Sequence, residues 1–200
     1  MKFNVPTKLT FLRLFLAVVI IILLLFPFYR IGFSFKTFLF HSILIDVRYI
    51  LCGVIFILAS FTDYLDGYLA RSRNLVTTFG KFMDPLADKI LACSALVMLV
   101  QFGKVEAWMV CIVLAREFII SGFRLIAASN GIVISASIYG KIKTITQLFA
   151  ISFILLNSTR LIKIPLNIDV ILWYISVVFT IISAIDYISK NIKVLDLKNI

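Results

Sequence analysis

Four aspartates carry the strongest chemical signal in the chain: Asp63 and Asp66, three residues apart, and Asp84 and Asp88, four apart. On helices, each pair shares one face. Asp63 and Asp66 close one apolar stretch and Asp84 and Asp88 open the next, so antiparallel neighbours would bring all four carboxylates to the same depth. Clustered negative charges repel one another and raise each other's pKa unless something positive sits among them. Hard divalent cations suit carboxylate oxygens, and magnesium or manganese held by a few carboxylates binds substrate phosphates as well. Two such ions would neutralise a pyrophosphate, make one phosphorus electrophilic and stabilise the departing phosphate. Gly67 and Ala70, one turn on from Asp63 and Asp66, leave room for a bulky group against the helix, within reach of Arg71. The plainer alternative is that membrane-edge aspartates pair with nearby Lys or Arg or reach into water. Four of them at two helical spacings, with the small residues in place, weigh against it, and ionisable residues within membrane segments favour function by default.

A second set is cationic. Arg13, Arg116, Arg124, Lys141 and Lys143 lie in or beside otherwise apolar segments, where an uncompensated charge is costly. Glu117 follows Arg116 directly, but adjacent residues point different ways on a helix, so that pairing is not expected to account for Arg116. A pocket for an anion accounts for the group better: a phosphate-bearing substrate supplies the countercharge, and arginine forks match its oxygens. The competing reading is snorkelling of long cationic side chains at helix ends.

The elements that must position these residues are membrane helices. Hydrophobic residues make up 62% of the 200 positions and the mean hydropathy is +1.09, against roughly 45–50% apolar content in soluble domains. Several stretches approach the roughly 20 apolar residues a helix needs to cross the hydrocarbon core. Alternating apolar and polar residues, the mark of an outer-membrane barrel, are lacking. Six spans are expected: Leu9 to Pro27, Arg48 to Ala70, Asp84 to Phe102, Trp108 to Ala128, Lys141 to Asn157 and Asp169 to Ser189. The expected fold is therefore all-α, a polytopic six-helix bundle. Pro85 falls in the first turn of the third span if that helix starts at Asp84. The first span follows Lys2 and Lys8 but lacks a small-residue cleavage site, so it is expected to be retained. With Arg116 left out as mid-span, thirteen Lys and Arg fall on the side of the termini and six on the other, which puts both termini in the cytoplasm. A net charge of +10 favours anionic lipid at that face, and no nucleic-acid motif accompanies it. Cys52, Cys93 and Cys111 sit singly, as small hydrophobes; His41 reads as a surface residue of the first outer loop; Trp108 and Trp173 fit interfacial anchoring. Without a repeat or a long linker, residues 1–200 read as one domain.

From Asp63 to Asp88 the chain reads D-x-x-D-G-x-x-A-R, then eight residues, then G-x-x-x-D-x-x-x-D. At every fixed position this resembles the signature of the CDP-alcohol phosphatidyltransferases. The resemblance implies a six-helix membrane bundle, a homodimer, and an active site open to the cytoplasm at the plasma membrane. It implies two ions, Mg2+ or Mn2+, on Asp63, Asp66 and Asp84, with Asp88 beside them and also acting as the base that deprotonates the acceptor hydroxyl. Gly67, Ala70, Arg71 and Gly80, with Asp63 and Asp66, would hold CDP-diacylglycerol, whose phosphorus is attacked with release of CMP.

The rest of the chain is similar to the branch of that family whose acceptor is glycerol 3-phosphate. The opening Val5-Pro6-Thr7-Lys8-Leu9-Thr10 and Arg13 resembles its short amphipathic N-terminal segment, with Thr7 where Asn is usual. Ala115-Arg116-Glu117-Phe118, Arg124, Gly140-Lys141-Ile142-Lys143-Thr144 and Gln147 resemble its later motifs. By this resemblance Thr10, Arg13, Arg116, Arg124 and Lys141 hold glycerol 3-phosphate, with Lys143 and Thr144 next in line. Alternatives are a sister enzyme that makes cardiolipin from phosphatidylglycerol, or one using another polar alcohol. From a different class, an ion or phosphate transporter would need a polar path continuing to the far side, whereas the carboxylates here stay at one end.

Overall fold

The computed structural model of the chain describes residues 5–33, 35, 37–40, 43–72, 78–129, 131–132, 134–135, 137–156 and 167–191; the side chains of 5–7, 29, 38–40, 43–45, 63–72, 78–82 and 84 fall outside the description. Six α-helices are found among these residues: α1 (Val5–Leu25), α2 (Val47–Ser72), α3 (Thr78–Gln101), α4 (Ala107–Ser129), α5 (Ile138–Leu155) and α6 (Ile168–Asn191). Each expected span has its helix. Three of them, over Lys8–Leu25, Ile138–Leu155 and Ile168–Asn191, are long and apolar enough by length and composition to cross a membrane, and α2 carries a shorter apolar run over Val47–Thr62. Large apolar side chains also cover the outside, among them Phe15, Phe118, Leu125 and Ile185, each more than 60% exposed. Water would penalise such a surface; hydrocarbon does not. This is a membrane protein.

Four local features depart from the expectation. The amphipathic opening is not a separate segment, because α1 runs without a break from Val5 through the first span. α3 begins at Thr78, so Pro85 lies inside the helix rather than in its first turn, where its ring removes the donor to the carbonyl four residues back. The connection before α2 is not wholly irregular: Thr37–Phe40 (β1) and Ile43–Asp46 (β2) pair antiparallel, Thr37 opposite Asp46 and Phe40 opposite Ile43. β-branched and aromatic residues favour this pleated pairing, and the hairpin is a small addition to an otherwise helical chain. Its tip, with His41, lies outside the described residues. Trp173 is 3% exposed and belongs to the core, whereas Trp108, 57% exposed at the start of α4, fits the anchoring expected of both.

Caps fix where helices start and turn. Asp46 accepts the Arg48 backbone N–H at 2.9 Å and opens α2, and Ser137 Oγ accepts the Gly140 N–H at 3.1 Å and opens α5. At the end of α3, Gly103 takes φ +61°, with Lys104 N–H donating to Leu99 O and Gly103 N–H to Val100 O. This paired closure needs a left-handed residue. It turns the chain into α4 within five residues.

α1 packs lengthwise against both α2 and α3, α5 lies along α6, α2 reaches across to α5, and α4 leans on α6. The buried centre draws Ala17 and Ile20 from α1, Phe56 from α2, Leu99 from α3, Val113 from α4 and Ile151 from α5. In lipid the hydrophobic effect does not drive helices together, so small residues that permit close packing matter more. Gly53 is such a residue: a Cβ there would come 2.8 Å from Leu156 Cδ2 and 3.3 Å from Leu155 Cβ.

Candidate active site

A cavity of about 580 Å³ opens between the helices. α1 contributes Arg13 and α3 contributes Asp88 and Lys89; α4 adds Arg116, Glu117 and Arg124, and α5 adds Lys141, Lys143 and Thr144. Six basic and two acidic side chains line it among the described residues. Four of the five residues expected to hold a phosphate-bearing acceptor therefore meet in one space, although they are spread from position 13 to position 141. Thr10, the fifth, is buried one turn before Arg13 on α1 and is not among the described lining residues.

Arg13 is completely buried, and its Nη1 donates to Asp88 Oδ1 at 2.5 Å. A buried guanidinium needs a carboxylate nearby to offset its desolvation. Asp88 meets that need while its own side chain stays 44% exposed. The proposed base and a proposed acceptor-binding cation are thus direct neighbours. The packing of α1 on α3 makes them so.

Arg116 is held on three sides. Its Nε donates to Ser183 Oγ on α6 at 3.0 Å, its Nη1 donates to Glu117 Oε1 at 2.8 Å, and its Nη2 lies where a Cβ on Gly140 would come within 3.0 Å. The expectation that Glu117 does not serve Arg116 is corrected here. Their Cβ atoms diverge, but both side chains are long enough to curl back to one another within the same cavity. Glu117 Oε1 also accepts from Lys143 Nζ at 2.5 Å, and Lys143 is only 3% exposed. The snorkelling reading fails for Lys143, which points to a carboxylate and not to water. Arg124 stacks its guanidinium 5.8 Å from the Tyr187 ring centroid, a cation–π geometry. Thr144 turns its hydroxyl to the Gly140 carbonyl at 3.0 Å.

For the carboxylate signature the backbone gives placement alone. Asp63, Asp66, Gly67, Ala70 and Arg71 fall in the last turns of α2, and Gly80 and Asp84 in the first two turns of α3. Their side chains lie outside the described residues, so of the four aspartates only Asp88 has described contacts.

Glu117, Lys89 and Tyr187 line the cavity without having been assigned a role from sequence. Glu117 carried a legible signal, a carboxylate within an apolar segment, but its partner Lys143 is 26 positions away and on another helix. Lys89 donates to Ser121 Oγ, and nothing local in the sequence indicates that contact. Among the cysteines, Cys52 is buried as expected, Cys93 faces the cavity and Cys111 is exposed.

The model of the CDP-alcohol phosphatidyltransferase family matches residues 3–182. The chain belongs to that family. Its members are generally dependent on divalent metals and transfer phosphatidyl groups. A Bacillus subtilis protein is 42% identical over 98% of this chain and 100% of its own length, and is named CDP-diacylglycerol–glycerol-3-phosphate 3-phosphatidyltransferase. A Haemophilus influenzae protein of the same name is 35% identical over 94% of this chain and 93% of its own. A third, from Rickettsia bellii, is 41% identical over 68% of this chain and 75% of its own.

Proposed function

We propose that this enzyme transfers the phosphatidyl group of CDP-diacylglycerol to the primary hydroxyl of glycerol 3-phosphate, giving phosphatidylglycerophosphate and CMP. The single observation that carries the acceptor is the cavity itself: among the described residues, six basic side chains against two acidic ones, drawn from four helices around a space of about 580 Å³. A site with that surplus of positive charge attracts a dianion. A phosphate monoester supplies one; a neutral alcohol headgroup does not. The names of the long-range relatives agree with this acceptor.

In this reading Thr10, Arg13, Arg116, Arg124 and Lys141 bind the phosphate and aim the free hydroxyl toward Asp88. Asp88 takes the proton as the hydroxyl oxygen bonds to the phosphatidyl phosphorus and the bond from that phosphorus to CMP breaks, in keeping with a carboxylate placed for general-base work. Asp63, Asp66 and Asp84, with Asp88, form an all-oxygen donor set suited to two Mg2+ or Mn2+ ions; when bound, such ions polarise the phosphorus and neutralise the leaving phosphate. Gly67, Ala70, Arg71 and Gly80 accommodate the cytidine nucleotide. All six helices cross the plasma membrane as one domain over residues 1–200, with both termini and the active site on the cytoplasmic side and two copies forming a dimer.

The test is CMP release by purified protein in detergent with CDP-diacylglycerol and magnesium, offering glycerol 3-phosphate, phosphatidylglycerol, serine and inositol phosphate separately. Release with glycerol 3-phosphate alone is expected. Release only with another alcohol would overturn the acceptor while leaving the family chemistry in place.

A further inference from the structure

Glu117 is a carboxylate set among cations, in a cavity whose described lining carries a surplus of positive charge. By charge alone it works against binding an anion there. Yet its placement is tightly specified. One oxygen, Oε1, accepts from both Arg116 Nη1 at 2.8 Å and Lys143 Nζ at 2.5 Å, joining α4 to α5. The backbone carbonyl of Glu117 accepts from Ser121 Oγ at 2.5 Å, and Ser121 Oγ in turn accepts from Lys89 Nζ on α3. Three helices therefore converge on this residue.

The consequence falls on Arg116. A guanidinium carries five N–H donors in a rigid fork. With Nε committed to Ser183 on α6 and Nη1 to Glu117, its orientation is fixed, and Nη2 sits over the one position in the first turn of α5, Gly140, that has no side chain to displace it. Lys143 would otherwise be free to swing about four rotatable bonds; the same carboxylate oxygen pins it.

We propose that Glu117 is a positioning residue of the acceptor pocket, holding Arg116 and Lys143 in the orientation that receives the acceptor's phosphate, at a cost in net attraction for it. The inference rests on the acceptor proposed above. It has a sign that distinguishes it from simple charge balance. Removing a negative charge from an anion site strengthens anion binding if charge is all that matters; it weakens binding if orientation dominates.

The experiment measures CMP release by the full-length protein in detergent, as apparent KM for glycerol 3-phosphate and separately for CDP-diacylglycerol, for wild type, Glu117→Gln and Glu117→Asp. Wild type that shows no response to glycerol 3-phosphate would overturn the acceptor reading and this inference with it, before any variant is compared. With a responsive wild type, Glu117→Gln is expected to raise the KM for glycerol 3-phosphate about tenfold, the scale of one misaligned charge-assisted hydrogen bond, with the KM for CDP-diacylglycerol within about twofold. Glu117→Asp, which keeps the charge on a shorter stem, is expected to fall between. A KM for glycerol 3-phosphate that falls or stays level in Glu117→Gln, or that rises in step with the KM for CDP-diacylglycerol, would overturn the proposal. If Glu117→Gln does not fold because Lys143 is left buried beside a neutral group, Glu117→Asp carries the test, since it leaves the charge in place and changes only the reach to Arg116 and Lys143. A selective rise in the KM for glycerol 3-phosphate is then expected, and a normal value would refute the positioning role.

Discussion

Replacing Gly140 with Ala asks whether the space above the first turn of α5 belongs to Arg116. A Cβ at this position comes 3.0 Å from Arg116 Nη2 and 3.4 Å from Ser137 Oγ. Comfortable non-bonded separations begin at about 3.5 Å, so the guanidinium must retreat by roughly half an ångström. It cannot do so freely, because Nε is tied to Ser183 Oγ at 3.0 Å and Nη1 to Glu117 Oε1 at 2.8 Å. A hydrogen bond to a charged group contributes about 1.5–3 kcal/mol. Losing half of one such bond to a bound phosphate costs about 1 kcal/mol, or roughly fivefold in affinity. Stability is expected to move the other way, since Gly to Ala inside a helix gains about 0.5–1 kcal/mol. The Ser137 cap is unaffected, because it uses the Gly140 backbone N–H. The assay pairs thermal unfolding in detergent with CMP release titrated against glycerol 3-phosphate and against CDP-diacylglycerol. A rise of about fivefold in the first KM, with the second unchanged and the unfolding midpoint level or higher, is the expected result. An unchanged KM for glycerol 3-phosphate in folded protein would refute the link between Gly140 and Arg116. A lowered midpoint would show that the backbone, not the guanidinium, had yielded.

Asp88→Asn keeps an oxygen to accept from Arg13 Nη1 but loses the proton acceptor; turnover is expected to fall by about 10²–10⁴-fold, and near-normal turnover with metals bound would defeat the general-base role. Arg116→Ala is expected to raise the KM for glycerol 3-phosphate far more than that for CDP-diacylglycerol, and equal effects on both would mark Arg116 as a support of the fold. Gly53→Ala places a Cβ 2.8 Å from Leu156 Cδ2 where α2 meets α5, and overpacking of this kind costs about 1–3 kcal/mol. Its signature is a lower unfolding midpoint with both KM values unchanged; an unaltered midpoint would show that Leu156 swings aside.

Much of this protein was legible in the sequence because membrane helices are written locally. Runs of apolar residues and short polar breaks foretold six helices, and each was found within a few residues of its expected place. The aspartate pairs could be read too, since three- and four-residue spacings fix a shared helix face before any tertiary contact forms. Boundaries were less legible where a local rule competed with its surroundings. α3 starts ahead of Pro85, an interior position that is costly for proline in an isolated helix and is tolerated in membrane bundles where neighbouring groups satisfy the freed carbonyl, and the hairpin before α2 arises from a β-prone stretch too short to dominate the composition. Trp173 could not be told from an interfacial tryptophan, because its burial depends on what packs against α6, which its own helix does not record.

What only the tertiary structure decided is which charges meet. Arg13 beside Asp88, Lys143 on the oxygen that also holds Arg116, and Lys89 against Ser121 each join residues 26 to 75 positions apart. Periodicity assigns a side chain to a face of its own helix and says nothing of the neighbouring helix's rotation or depth. Those two variables follow from close packing at small residues such as Gly53, and from turns such as the one at Gly103. The sequence alone supplied the cations and the expectation that an anion must answer them. The packing of six helices determined that Glu117 answers two of them already, and that the rest of the surplus faces one cavity.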